Sequence, residues 1–152
     1  MVAHVRLATI DDAPTVAQWL HDFNEEYGDP SPGAEWLTDR LIALLRLDTG
    51  VLMTDPPAAG FSLLRFRPAL WSANLECYLA ELYVAPDQRG HGLGRALLDA
   101  SIDHARARGA DYMDLTTTDA DVAARRLYES LGFDCHEGRP DGPVSFYYER
   151  SI

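Results

Sequence analysis

A turn with three alternating glycines follows the longest apolar strand pattern in the chain. From Glu81 the sequence reads ELYVAPDQRGHGLGRALL, which is an apolar run, a proline that stops it, and then an amphipathic segment. Glycine at alternate positions removes β-carbons from one side of a turn, so successive backbone N–H groups can converge on one anion. A helix that begins directly after the turn adds its unpaired amides and its positive dipole end. The sequence therefore predicts a phosphate-binding cradle between a strand and a helix.

The sequence of this turn does not match the patterns of two common nucleotide-binding loops. A Walker loop needs a lysine after its last glycine, and no lysine follows Gly94. A dinucleotide-binding fingerprint has the spacing G-x-G-x-x-G near the start of a βαβ unit. Here Gly90, Gly92 and Gly94 have the spacing G-x-G-x-G and come after several elements predicted to be antiparallel. The alternative to a phosphate cradle is a tight turn whose glycines only allow a helix to pack closely on a strand.

Hydrophobic periodicity predicts a mixed α/β fold, with a single layer of sheet flanked by helices. Strands are predicted over residues 2–8, 51–54, 61–66, 75–84 and 112–116, with a closing pair over 133–136 and 144–149. A first helix is predicted after an N-cap at residue 11 or 12 and a second from residue 34. Further helices are predicted over 93–108 and 122–131, with residues 24–33 as a loop.

Length and charge restrict the function classes. A chain of 152 residues is near the usual size of one domain, so a single domain over residues 1–152 is expected. The net charge of −11 disfavours nucleic acid and anionic membrane as partners and favours cationic small molecules. The absence of a 20-residue apolar run or a signal-peptide pattern predicts a cytoplasmic protein. Cys77 and Cys135 show no C-x-x-C spacing and the histidines no ligand spacing, so no metal site is predicted.

Two segments of the chain resemble motifs of the GNAT superfamily of N-acetyltransferases. The glycine turn resembles its signature R/Q-x-x-G-x-G/A, which is matched by Arg89, Gly92 and Gly94. A second segment from Asp121 to Phe133 resembles the pattern N-x-x-A-x-x-L-Y-x-x-x-G-F. The resemblance implies a central, mostly antiparallel sheet with parallel but splayed fourth and fifth strands, flanked by about four helices.

The resemblance also implies acetyl-CoA as the acyl donor. The turn would bind the pyrophosphate, and the strand before it would pair with the pantetheine arm. Asp121 stands where the family usually has Asn, and it can alternatively serve only as the N-cap of its helix. The implied cofactor-binding residues are Leu82, Tyr83, Val84, Arg89, Gly90, His91, Gly92, Leu93, Gly94, Arg95, Asp121 and Tyr128.

Two residues are candidates for proton transfer in catalysis. An alkylamine has a pKa near ~10 and attacks only when neutral, so a base or a water chain must take its proton. Glu81 is the candidate base, and strand alternation places it on the same face as Tyr83. Alternatively, Glu81 is a sheet-surface carboxylate paired with an arginine. Tyr128 is the candidate proton donor to the leaving sulfur, with a buried packing aromatic as the alternative.

In this family the first two helices and the loop between them wall the acceptor cleft. Carboxylates and aromatic rings together suit a cationic amine, although the segment can also be an ordinary solvated acidic loop. The candidate acceptor-binding residues are Glu25, Glu26, Tyr27, Asp29 and Trp36.

Three functions remain open. The first is a small-molecule amine acetyltransferase working by direct attack in a ternary complex. The second is a protein N-terminal or lysine acetyltransferase, and the third is a non-catalytic acyl-CoA-binding regulatory module. Relatives often form dimers, so the resemblance leaves a homodimer open.

Overall fold

The computed structural model describes residues 3–152. By its internal contacts the chain divides into two compact units, one ending at Leu115 and the other spanning Thr116–Ile152. The first unit holds a five-stranded sheet and the first three helices, and the second holds the fourth helix. The expected single domain over residues 1–152 stays a prediction.

The sheet of the first unit has its strands in chain order. The strands are β1 (Val5–Leu7), β2 (Thr49–Thr54), β3 (Gly60–Pro68), β4 (Leu75–Val84) and β5 (Ala110–Leu115). Neighbours from β1 to β4 pair antiparallel, and β4 pairs with β5 in parallel. The predicted mixed sheet is therefore confirmed. The predicted first strand is shortened to Val5–Leu7, and its position 2 lies outside the described residues.

Four α-helices accompany the sheet within the described residues. They are α1 (Ala13–Tyr27), α2 (Ala34–Leu45), α3 (Leu93–Ala107) and α4 (Val122–Ser130). In the first unit, adjacent residues of β3 point to opposite faces of the sheet, as strand alternation requires. Phe61 packs in the cluster that contains Val16 of α1 and Leu41 of α2, whereas Ser62 faces Ser101 of α3. Helices α1 and α2 thus cover one face and α3 covers the other.

The loop predicted over residues 24–33 is wrong in its first part. Helix α1 continues through Tyr27, and the chain leaves it at Gly28, whose φ of 70° lies in the left-handed region. The Gly28 N–H donates to the carbonyls of Asn24 and Glu25 and so closes the last turn. The polarity of this stretch suggested a loop, but polar residues are tolerated on the solvent side of a helix, and the glycine decides where the helix ends.

The closing pair of strands predicted over residues 133–136 and 144–149 is also wrong. His136 and Val144 form one isolated antiparallel bridge, and neither segment continues as a strand. The Ser145 N–H donates to the Cys135 carbonyl, and the Glu137 N–H donates to Pro143. Pro143 has no N–H to return to Glu137, and the ladder among the described residues does not continue beyond Ser145.

Candidate active site

The glycine turn joins the end of β4 to the start of α3. Gly90 and Gly92 have φ values of 79° and 83°, in the left-handed region that favours glycine. A β-carbon added at either position would meet no atom within 4 Å. These two glycines are therefore needed for the direction of the backbone and not for close packing of helix against strand. The space beside them suits the approach of a ligand.

Helix α3 begins at this turn with its amide groups uncapped. Gly92 is the N-cap residue, and no side chain makes a capping hydrogen bond there. The first turn of the helix contains Leu93, Gly94 and Arg95, and His91 is exposed in the turn before it. Uncapped N–H groups and the helix dipole attract an anion to such a position. The predicted cradle fits a phosphate group in these respects.

Among residues 3–115, β4 has a strand partner on only one side beyond its first half. Its pairing with β5 ends where Leu79 faces Leu115, while its pairing with β3 continues to Val84. The β5 side of β4 is therefore an open edge from Ala80 to Val84. Open strand edges offer unpaired N–H and C=O groups to an extended ligand.

The register decides which backbone groups lie on that open edge. The Ala85 N–H donates to the Ala59 carbonyl at 2.8 Å, so these two facing residues form a hydrogen-bonded pair. In an antiparallel ladder such pairs alternate with non-hydrogen-bonded pairs, so Tyr83 is hydrogen-bonded to β3 and Leu82 and Val84 are not. The amide groups of Tyr83 point toward β3, and those of Leu82 and Val84 point away from it. The register thus favours Leu82 and Val84 over Tyr83 as backbone partners of a bound ligand.

Glu81 and Tyr83 lie on one face of β4, opposite Leu63 and Phe61 respectively. Tyr83 is only 4% exposed, and its ring centroid lies 5.3 Å from that of Phe23. A bulge precedes this pair, because Leu63 faces Glu81 while the next residue of β3 faces Leu79, which leaves Ala80 as the extra residue.

The half-buried carboxylate of Glu81 has no hydrogen bond or ion pair within residues 3–115. The alternative of a carboxylate paired with an arginine is therefore not what the structure contains. Burial raises the pKa of Glu81 above its usual range. An unpaired carboxylate with a raised pKa is a reasonable proton acceptor.

Arg89 and Glu26 bind each other across a sequence separation of 63 residues. The two terminal nitrogens of Arg89 donate to the two carboxylate oxygens of Glu26 at 2.6 and 2.7 Å, and its Nε donates to the Val84 carbonyl at 2.9 Å. The hydrogen bonds from Arg89 lower the pKa of Glu26. Arg89 was predicted to bind the cofactor and Glu26 the acceptor, but in the structure the two side chains form an ion pair with each other.

Gln88 fixes the turn from its other side. Its Nε2 donates to the Pro57 carbonyl, and its Oε1 accepts from the Ala59 N–H, both at 2.8 Å. The side-chain amide therefore holds the connection between β2 and β3 against the glycine turn. Sequence reasoning missed this role of Gln88, because its partners lie about 30 positions earlier and carry no sequence signal.

The candidate acceptor residues occupy two different settings. Glu25, Glu26 and Tyr27 form the last turn of α1, Asp29 lies in the connection, and Trp36 lies in the first turn of α2. The side chains of Tyr27 and Trp36 are both more than half exposed. Their role as a wall of the acceptor cleft stays a prediction.

The second unit contains the two remaining candidates. The Oδ1 of Asp121 accepts from the Ala124 N–H at 3.1 Å and caps α4, as the alternative interpretation had it. The ring of Tyr128 contacts that of Phe133 edge-on, with centroids 6.1 Å apart. Within Thr116–Ile152 the Tyr128 hydroxyl has no hydrogen-bond partner. Burial, with a smaller contribution from Asp121, raises the pKa of Tyr128 to about 12.

A model of the acetyltransferase (GNAT) family matches residues 7–133 of the chain. The chain belongs to this family. The predicted family and the predicted fold are thereby confirmed.

Individual GNAT relatives differ in how much of each chain they share. A crystal structure of an acetyltransferase-family protein from Arthrobacter sp. FB24 is 44% identical with a TM-score of 0.90, over 99% of this chain and 97% of that one. A mycothiol acetyltransferase from Corynebacterium aurimucosum is 31% identical over 80% of this chain and 43% of its own length. One from Thermobispora bispora is 52% identical over 36% of this chain and 20% of its own length. The chain spans less than half the length of these two curated relatives.

Two further findings concern metal and membrane. Among residues 3–152, one group of side chains could hold a metal ion. It consists of Asp134, Cys135 and His136, whose possible ligand atoms lie within 4.8 Å of one another. They are consecutive surface residues, and the absence of a metal site stays a prediction. No helix of the described part is both long and apolar enough to span a bilayer.

Proposed function

We propose that this protein is an N-acetyltransferase that moves an acetyl group from acetyl-CoA to a small cationic primary amine. The observation that carries the proposal is the open edge of β4 at Leu82 and Val84, which runs directly into the uncapped start of α3 at Gly92. An extended arm that ends in a diphosphate matches this sequence of a strand edge followed by an anion cradle. Use of acetyl-CoA would place the reaction in the cytoplasm.

The proposed donor site has two parts, the edge of β4 and the glycine turn. Leu82 and Val84 pair with the pantetheine arm, and the N–H groups from Gly90 to Arg95 bind the pyrophosphate. Acetyl-CoA supplies the acetyl group as a thioester, and a backbone N–H on the β4 edge polarises its carbonyl oxygen. Preorganised donors of this kind cost no reorganisation when charge develops on that oxygen.

Glu81 and Tyr128 carry the proposed proton transfers. The amine nitrogen bonds to the acetyl carbon, the thioester C–S bond breaks, and the products are an amide and the free thiol of coenzyme A. Glu81 takes the proton that the amine loses, which its raised pKa favours. Tyr128 gives a proton to the departing sulfur, which requires a protonated hydroxyl, and its pKa of about 12 keeps it so. Solvent restores both groups.

Charge supports a cationic acceptor. The chain has 24 acidic against 13 basic residues among Asp, Glu, Lys and Arg, so its field attracts cations from a distance. Glu81 contributes an unpaired carboxylate close to the reacting end, and the proposed cleft wall contains Glu25 and Asp29 together with Tyr27 and Trp36. Carboxylates and aromatic faces both stabilise an ammonium group.

The proposal is tested by thiol release from acetyl-CoA with three sets of acceptors: small cationic amines, their uncharged analogues, and peptides with free N-termini or lysines. Release with cationic small amines is expected. Release with peptides alone would make the protein a protein acetyltransferase. Binding of coenzyme A without release from any acceptor would make it a regulatory module.

The donor site is tested by a matched pair of variants at one position. Gly92→Asn and Gly92→Asp have nearly the same size, and both residues tolerate the left-handed backbone and cap helices well. Only Asp adds a negative charge to the cradle. We expect Gly92→Asp to weaken coenzyme A binding at least tenfold more than Gly92→Asn in calorimetry. Equal affinities for the two variants would exclude this turn as the pyrophosphate site.

A further inference from the structure

We propose that Glu26 is a positioning residue for the cofactor-binding turn, acting through Arg89, and not a ligand of the acceptor amine. The inference rests on the proposed function, because it assigns the pyrophosphate to the same turn. It changes the role that the sequence suggested for Glu26.

The geometry joins three elements through one guanidinium group. Arg89 lies in the turn, Glu26 lies in the last turn of α1, and Val84 is the last residue of β4. Arg89 donates one hydrogen bond to Val84 and a bidentate pair to Glu26, all between 2.6 and 2.9 Å. Because all three nitrogens of the planar guanidinium are hydrogen-bonded to two fixed partners, this arrangement holds Arg89 in one rotamer.

The hydrogen bond to Val84 extends the effect to the donor site. The Val84 carbonyl lies on the open edge of β4, and Arg89 satisfies it. The groups left on the edge for the pantetheine arm are those of Leu82 and the N–H of Val84. Arg89 therefore lies at the junction between the open strand edge and the anion cradle, and its hydrogen bonds with Glu26 fix its position.

The same contacts remove Glu26 from acceptor binding. Both of its carboxylate oxygens accept short charge-assisted hydrogen bonds, and its charge is balanced by the guanidinium. The pair is only partly exposed, with side-chain exposures of 41% for Arg89 and 27% for Glu26, so water screens it less than a fully exposed pair. Because Arg89 neutralises its charge, Glu26 attracts a cationic amine less than an unpaired carboxylate would.

The two roles for Glu26 predict opposite kinetic patterns. As a positioning residue, Glu26 acts on the affinity for coenzyme A and leaves the KM of the amine unchanged. As an acceptor ligand, it acts on the KM of the amine and leaves the affinity for coenzyme A unchanged. The substitution Glu26→Gln keeps the shape of the side chain and removes its charge, so it separates the two roles without opening a cavity.

The experiment measures calorimetric binding of coenzyme A and the KM values of both substrates for the wild type, Glu26→Gln, Glu26→Asp and Glu76→Gln. Glu76 is the matched control, because it accepts a 2.6 Å hydrogen bond from Arg67 at the opposite end of β4. We expect Glu26→Gln to weaken coenzyme A binding about tenfold, the loss of roughly one charge-assisted interaction. Glu26→Asp should recover part of the affinity, and Glu76→Gln should stay within about twofold of the wild type.

A second set of variants tests whether the pair acts as a unit. If Glu26 works through Arg89, Arg89→Gln and the double variant Glu26→Gln/Arg89→Gln should have the same affinity for coenzyme A. The inference is overturned if Glu26→Gln binds coenzyme A like the wild type, if it raises only the KM of the amine, or if the two losses add. A wild type that binds no coenzyme A would instead overturn the proposed function and the inference with it.

Discussion

The hydroxyl oxygens of Ser62 on β3 and Ser101 on α3 lie 2.6 Å apart, and both side chains are fully buried. Ser101 also donates to the Leu97 carbonyl at 2.7 Å, so its proton is used within its own helix. The Ser62 hydroxyl must then be the donor in the pair. A short chain of hydrogen bonds therefore ties the centre of the sheet to the helix that begins at the glycine turn.

Ser101→Ala should lower the free energy of unfolding by about 1–3 kcal/mol, because it leaves the buried Ser62 hydroxyl without an acceptor. Ser62→Ala should cost less, since Ser101 keeps its bond to Leu97. The double variant should cost less than the sum of the two, because it leaves no orphaned donor. Urea denaturation of the three variants measures these values, and additive losses would contradict the hydrogen-bond chain.

Gln88→Glu should loosen the glycine turn. The substitution replaces the N–H donor that contacts the Pro57 carbonyl by a carboxylate oxygen, so an attraction becomes a repulsion. We expect a loss of about 1 kcal/mol in the free energy of unfolding and a several-fold weaker affinity for coenzyme A. Gln18→Glu is the control, because Gln18 bonds Asp22 on α1 away from the turn. An unchanged affinity in Gln88→Glu would show that the turn does not depend on this clamp.

Glu81→Gln should lower kcat/KM by about 10²-fold, which is typical for loss of a general base. The wild type should lose activity as the pH falls through the raised pKa of Glu81, because only the carboxylate accepts a proton. The variant should lack this acidic limb. A pH profile of kcat/KM with the same acidic limb in both proteins would remove Glu81 from the mechanism.

The same residue predicts a pH dependence of stability. A raised pKa means that the folded state holds the proton of Glu81 more tightly than the unfolded state does. The wild type therefore loses stability as the pH rises through this pKa, while Glu81→Gln does not. We expect the variant to be more stable than the wild type at neutral pH and to lose this advantage near pH 4, in denaturation at both values.

Tyr128→Phe should lower kcat by about 10²-fold and leave the affinity for coenzyme A within about twofold. The hydroxyl is protonated across the neutral range because its pKa is about 12, and the phenylalanine ring keeps the packing against Phe133. Stopped-assay thiol release gives kcat and calorimetry gives the affinity. A variant with wild-type turnover would leave Tyr128 only its role in packing.

The sequence by itself determined the strand, turn and helix that make up the proposed donor site. An apolar run, a proline and glycines at Gly90 and Gly92 act through local backbone preferences, and these survive whatever surrounds them. The parallel arrangement of the fourth and fifth strands was likewise implied by the family resemblance. The side-chain face shared by Glu81 and Tyr83 follows from strand alternation alone.

Only the tertiary structure decided which side chains meet. The pairing of Glu26 with Arg89, the clamp of Gln88 on the β2–β3 connection and the bulge at Ala80 depend on how distant segments pack. The end of α1 follows from the single residue Gly28, which overrides the polarity of its segment. Local propensity acts over a few residues, whereas an ion pair between positions 63 apart exists only after packing has placed both charges together.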